Sequence, residues 1–144
     1  MLTVYLNFPG TSAEAAVYYA EAFQARPAYV MRTADVPEAD RAGMPPELQN
    51  GVMYAAIMTY AGELQFSDDV PGDDRPNSTM WISVTDADEK KIRHTFDFLA
   101  REGEVLSPLA PAFFTPLYGQ VKDKYGFHWM FMLPSPMESG GTAV

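Results

Sequence analysis

The period of apolar and polar positions changes several times along the chain, and each change marks an element. Residues 3–8 alternate and are rich in β-branched and aromatic types, which predicts a strand ending at Pro9-Gly10. Thr11-Ser12-Ala13-Glu14 has capping-box spacing, with Thr11 as N-cap and Glu14 reaching back. The helix it opens runs to Phe23 and buries Ala16, Tyr19, Ala20 and Phe23 at helical spacing. Pro27 stops it, and residues 29–33 read as a second strand. Residues 35–51 are polar, carry Pro37, Pro45 and Pro46, and read as a loop with a short helical turn after Pro46. Residues 52–60 and 63–67 predict two strands joined tightly at Ala61-Gly62, a hairpin. Residues 68–78 form a loop.

The order of elements then repeats. Residues 80–84 predict a strand, and Asp86-Ala87-Asp88-Glu89 offers a second capping box. A helix follows to Glu102, stopped by Gly103, with Ile92, Thr95, Phe96 and Leu99 as its apolar face. Glu89/Arg93 and Asp97/Arg101 make helical ion pairs on the other side. Residues 104–107 read as a short strand. Residues 121–122, the turn at 123–126 and residues 127–133 read as a last hairpin with Gly126 at its turn. The Ser/Gly/Pro-rich tail at 134–144 is expected to be flexible. The chain thus holds strand–helix–strand–strand–strand twice, related by order rather than by sequence identity, with residues 35–51 as an insertion in the first copy. The fold class is α+β: one domain over residues 1–133, with modules at about 1–70 and 78–133.

Composition narrows the function classes. The 144 residues are 47% hydrophobic and 20% charged, as in an ordinary folded domain. The net charge of -9 argues against nucleic acid and anionic membranes as partners, since both call for basic patches. With no cysteine, disulfide scaffolds, thiolate metal sites and thiol catalysis are excluded. No targeting segment or membrane-spanning run is visible, so a cytoplasmic protein is expected.

Two stretches carry a family resemblance. The first is Tyr5-Leu-Asn-Phe8, a glycine, and then Ala13-Glu-Ala-Ala-Val-Tyr-Tyr-Ala-Glu-Ala-Phe23. The second is Tyr118-Gly-Gln-Val-Lys-Asp-Lys-Tyr-Gly-Phe-His-Trp-Met130, where an Asp-x-x-Gly turn runs into Gly-x-x-Trp. With Ser67-Asp68 and residues 106–114, they resemble the PhnB-like branch of the glyoxalase/bleomycin-resistance (vicinal oxygen chelate) superfamily over residues 3–133. The resemblance implies paired βαβββ modules whose curved sheets wrap a cleft, and a homodimer. Metal-using members place four ligands, mostly His and Glu, on four strands, and the matching positions here are Thr3, Gln65, Thr79 and Met130. None is His, Asp or Glu, so no cofactor and no divalent metal are expected. Where the branch often carries His-Ala-Glu/Thr, this chain has Tyr54-Ala55-Ala56. Tyr54 can donate a hydrogen bond, but a phenol titrating at about 10 does not replace histidine as a base near neutral pH. No glycine-rich loop opens a helix after the first strand, so nothing resembles an adenosylmethionine site.

Alternation selects the candidate site residues. His128, Met130 and Met132 fall opposite Phe127, Trp129 and Phe131, which puts the first three on the cleft side. His128 is therefore the general-base candidate, against a bland reading as an edge histidine bonded to backbone or water. The other histidine, His94, opposes the apolar face of its helix and reads as a solvated surface group. Tyr5, Asn7, Gln65, Ser67, Trp81 and Ser83 share the cleft-facing parity. Phe113 and Phe114 sit in a proline-rich stretch where adjacent aromatics cannot share a face, so one closes the cleft or meets the partner, or both simply pack. Asp68, Asp69, Asp73 and Asp74 lack the spacing of a calcium loop and read as a solvated turn.

Three functions remain. The first is metal-independent binding of a small apolar or aromatic molecule, with Trp81, Tyr54 and Phe113/Phe114 stacking and Asn7, Gln65 and Ser83 orienting the ligand. The second is a metal-dependent isomerase, lyase or dioxygenase with a rearranged site drawn from His128, Glu63, Gln65, Asp68 or Tyr54. The third is a scaffold whose cleft is filled.

Overall fold

The computed structural model describes residues 2–69 and 76–136. The chain divides into two compact units, Met1–Asp73 and Asp74–Val144. In the first, β1 (Val4–Phe8) leads to α1 (Ser12–Ala22), β2 (Tyr29–Arg32), a short α2 (Glu38–Arg41), β3 (Val52–Thr59) and β4 (Gly62–Asp68). In the second, β5 (Ile82–Thr85) leads to α3 (Glu89–Glu102), β6 (Glu104–Ala112), β7 (Thr115–Lys122) and β8 (His128–Met132). The sheets run β1-β4-β3-β2 and β5-β8-β7-β6, the same order in both units. In each, the first strand pairs parallel with the last and the other pairs are antiparallel. The repeated order read from the sequence is thus a repeated βαβββ topology. Among the described residues no helix is long and apolar enough to cross a membrane.

Each helix covers one face of its sheet. Under α1 lie Leu6, Phe8, Ala55, Ile57, Leu64 and Phe66, all buried. The Tyr19 ring stacks on Phe66 with centroids 5.7 Å apart and planes within 5°. Burying a side chain of that size contributes about 1.5–3 kcal/mol before entropy is counted. Under α3, all four residues of the expected apolar face are buried, and Phe96 meets Phe131 edge-on at 6.0 Å.

Four local features differ from the sequence reading. Thr11 does occupy the N-cap of α1, but its side chain makes no cap hydrogen bond. The free N–H of Ser12 instead donates to Asp68 Oδ1, 56 residues away at the end of β4, at 2.8 Å. At α3 the cap is Asp88 rather than Asp86, accepting the Lys90 N–H at 3.0 Å. Gly103 ends α3 at φ -109° and not in the left-handed region. Glycine is needed there because a Cβ would stand 2.2 Å from the Lys122 carbonyl oxygen. Finally, β6 and β7 form one long hairpin where the sequence suggested only short strand pieces. Pro108 and Pro111 are tolerated because β6 is the sheet edge and its pairing slips at bulges. A 3-10 turn at Thr33–Asp35 leads from β2 into the insertion, which carries α2 and, as expected, a 3-10 turn at Pro46–Leu48.

Candidate functional site

The candidate residues on strands lie on the sheet faces turned away from the helices. On the first sheet the register makes one cross-strand row of Tyr29, Ala56, Gln65 and Tyr5. Asn7 pairs with Ser67, and the Ser67 hydroxyl donates to Asn7 Oδ1 at 2.9 Å. Tyr54 lies on the same face, opposite Met31 and 6.3 Å from Tyr29 ring to ring. Gln65 Nε2 donates to Glu63 Oε1 at 2.7 Å. Desolvation first, and the Glu63 carboxylate second, hold the Tyr54 phenol above its ordinary value. The structure places Tyr5, Asn7, Tyr54, Gln65 and Ser67 on one face of the first sheet. Tyr29 was missed because strand register cannot be read from a single strand.

On the second sheet, Ser83 pairs with Met130 and His128 pairs with Lys122. Trp81 immediately precedes β5, and its ring meets His128 edge-on at 4.9 Å. The Trp81 indole N–H donates to the Ser78 carbonyl at 2.9 Å. The Nδ1 atom of His128 is buried without a hydrogen-bond partner, so the bland reading of a backbone-bonded histidine does not describe that nitrogen. Lys122 is bridged to Glu104 at 3.1 Å. Gln120 Nε2 donates to the Tyr118 hydroxyl at 2.8 Å, and that hydroxyl reaches Met130 Sδ at 3.9 Å. Tyr118 and Gln120 were hidden because Pro116 and Gly119 disguise β7.

Phe113 and Phe114 form the tip of the β6–β7 hairpin. Phe114 folds back onto Tyr118 at 5.2 Å, whereas Phe113 is 90% exposed and meets Phe114 edge-on. Within this unit Phe114 joins the face and Phe113 does not. His94 lies beside Phe98 on α3, with centroids 6.4 Å apart.

These residue types do not fit the divalent metal that the resemblance implies. Beside Gln65 stands Tyr5 and beside Met130 stands Ser83, rather than the Thr3 and Thr79 suggested by counting. Thr79 precedes β5, with its N–H and hydroxyl both bonded to Asn77 Oδ1. An amide, a thioether, a phenol and an alcohol are poor donors for a hard divalent cation. Asp68 is committed elsewhere: one oxygen takes the Ser12 N–H and the other the Val52 N–H, each at 2.8 Å. Asp69 closes on β1, donating its N–H to the Phe8 carbonyl, while Asp73 and Asp74 lie outside the described residues.

No protein-family model matches the chain. Protein YjdN of Escherichia coli is 24% identical over 135 residues, covering 90% of this chain and 92% of YjdN. Protein PA1353 of Pseudomonas aeruginosa is 25% identical at a TM-score of 0.76, over 92% of this chain and 96% of its own. The PhnB protein of Bacillus cereus is 26% identical at 0.70, over 92% and 98%. A glyoxylase/bleomycin resistance protein/dioxygenase domain from Frankia, 13% identical at a TM-score of 0.59 over 93% and 89%, shares the fold alone. The doubled βαβββ topology, the Asp-x-x-Gly-x-x-Trp turn and these likenesses agree with the resemblance read from the sequence. The chain is similar to PhnB-like proteins and has the glyoxalase/bleomycin-resistance fold.

Proposed function

We propose that the chain binds a small apolar or aromatic molecule without a metal, as a homodimer. The observation that carries this reading is the face of the second sheet. There Trp81, His128, Met130, Tyr118 and Phe114 offer rings and a soft sulfur, and the indole N–H and the Tyr118 hydroxyl are already satisfied within the protein. Such a surface favours stacking over coordination. In this reading Trp81 and Phe114 stack on a ligand at the second sheet, and Tyr54 is the stacking ring of the first. On the second sheet Ser83 orients the ligand and Phe113 closes over it from the hairpin tip, while Asn7, Gln65 and Ser67 are the orienting groups on the first sheet. Were a reaction catalysed, His128 would be its base. The donor set described above supports metal independence, and the family resemblance supports the dimer.

The test is a fluorescence titration with neutral aromatic compounds. Trp129 is fully buried and Trp81 is not, so quenching reports on Trp81. Saturable quenching that W81F abolishes, in protein carrying no stoichiometric metal, is expected. Stoichiometric Ni²⁺, Zn²⁺, Mn²⁺ or Fe²⁺ by mass spectrometry, lost on His128→Ala, would overturn metal independence in favour of an enzyme. A wild type that no compound quenches would favour the scaffold.

A further inference from the structure

We propose that the helix-free face of the first sheet takes an organic cation, an ammonium group on a small apolar body, between the rings of Tyr5, Tyr29 and Tyr54 and the carboxylate of Glu63. The proposal rests on the small-molecule reading above and names the class of ligand.

Four observations carry it. Tyr29 and Tyr5 end one cross-strand row, three strand spacings or about 14 Å apart, with Ala56 and Gln65 between them. The small side chain of Ala56 leaves room over the middle of that row. Tyr54 lies on the same face, its ring 6.3 Å from that of Tyr29. Exposed tyrosine rings present the negative faces of their π systems, the surface that binds ammonium groups.

The second observation is charge on the face itself. The residues turned away from α1 on β1 to β4 include Tyr5, Asn7, Met58, Glu63, Gln65 and Ser67, and none of the residues on this face is basic. Glu63 accepts a hydrogen bond from Gln65, and among the described residues no ion pair holds it. Its charge is thus oriented and uncompensated. Third, these rings are open: Tyr5 is 48% and Tyr29 63% exposed. Fourth, charge is uneven along the chain. Residues 1–73 hold ten Asp and Glu against three Arg and no Lys, a net of -7 out of the total of -9. A field of that sign attracts cations to the first unit.

The experiment uses the full chain with phenyltrimethylammonium and its uncharged carbon isostere, tert-butylbenzene, followed through tyrosine ring signals by NMR. The ammonium compound is expected to shift Tyr5, Tyr29 and Tyr54 saturably and to bind about tenfold more tightly than the isostere. Glu63→Gln, a same-size exchange on the surface, is expected to weaken the ammonium compound about fivefold and leave the isostere unchanged. Equal binding of the two compounds, no effect of Glu63→Gln, or no binding of the ammonium compound would each overturn the cation site. The separate quenching of Trp81 by neutral aromatics decides whether the broader binding reading survives that result.

Discussion

The indole N–H of Trp129 donates to Asp123 Oδ2 at 2.8 Å, and both residues are buried. The other carboxylate oxygen takes the backbone N–H groups of Tyr125 at 2.9 Å and Phe127 at 3.1 Å. One side chain thus builds the β7–β8 turn and anchors the largest residue beneath α3. The Asp-x-x-Gly-x-x-Trp spacing has this physical content: acceptor, left-handed glycine at φ +94°, donor. Asp123→Ala would strand three donors in a dry setting. The expected loss is about 3 kcal/mol or more, read from urea unfolding. Trp129→Phe keeps most of the packing and should cost less; a double-mutant cycle should show the two changes coupled.

Asp68 plays the matching part in the first unit, joining the start of α1 to the start of β3. Asp68→Ala should cost about 2 kcal/mol. Hydrogen exchange should quicken at the Ser12 and Val52 amides, while the α3 amides keep wild-type protection. Uniform quickening across both units would contradict this local role.

Gly103 is required by close approach. A methyl group there meets the backbone oxygens of Lys122 at 2.2 Å and Leu99 at 2.7 Å, neither of which can rotate away. Gly103→Ala is expected to destabilise by about 3 kcal/mol, at the upper end of overpacking costs. Gly43→Ala, where nothing lies within 4 Å, is the control and should be close to neutral. Thermal melts of the two variants make the comparison.

Tyr54 predicts an alkaline signature. Folding raises its phenol above the unfolded value of about 10, so the folded state holds the proton more tightly. Its stabilising contribution is complete below that unfolded value and is lost as pH rises through the folded one. Tyr54→Phe should therefore lessen the fall in stability above pH of about 10. The difference in tyrosinate absorbance between wild type and Tyr54→Phe should titrate at higher pH than free tyrosine. Glu63→Gln should bring that midpoint down by removing the nearby charge. A midpoint at the free value would count against the Tyr54–Glu63 contact.

The sequence by itself determined the order of elements and the side each residue faces. A fourteen-residue helix with a clean apolar stripe, α3, could hardly be anything else, since only the helical period brings Ile92, Thr95, Phe96 and Leu99 together. Alternation placed Trp129 and Phe131 beneath the helix and His128 and Met130 opposite, because successive strand residues must point to opposite faces. What only the tertiary structure decided depends on residues far apart in the chain. The cap of α1 comes from 56 positions away and displaces the local Thr11 box, because a carboxylate held by a sheet can reach the helix N-terminus. The row of Tyr29, Ala56, Gln65 and Tyr5 exists only through register, which one strand cannot specify without its neighbours. Local periodicity fixes which way a side chain points; strand pairing fixes what it meets there.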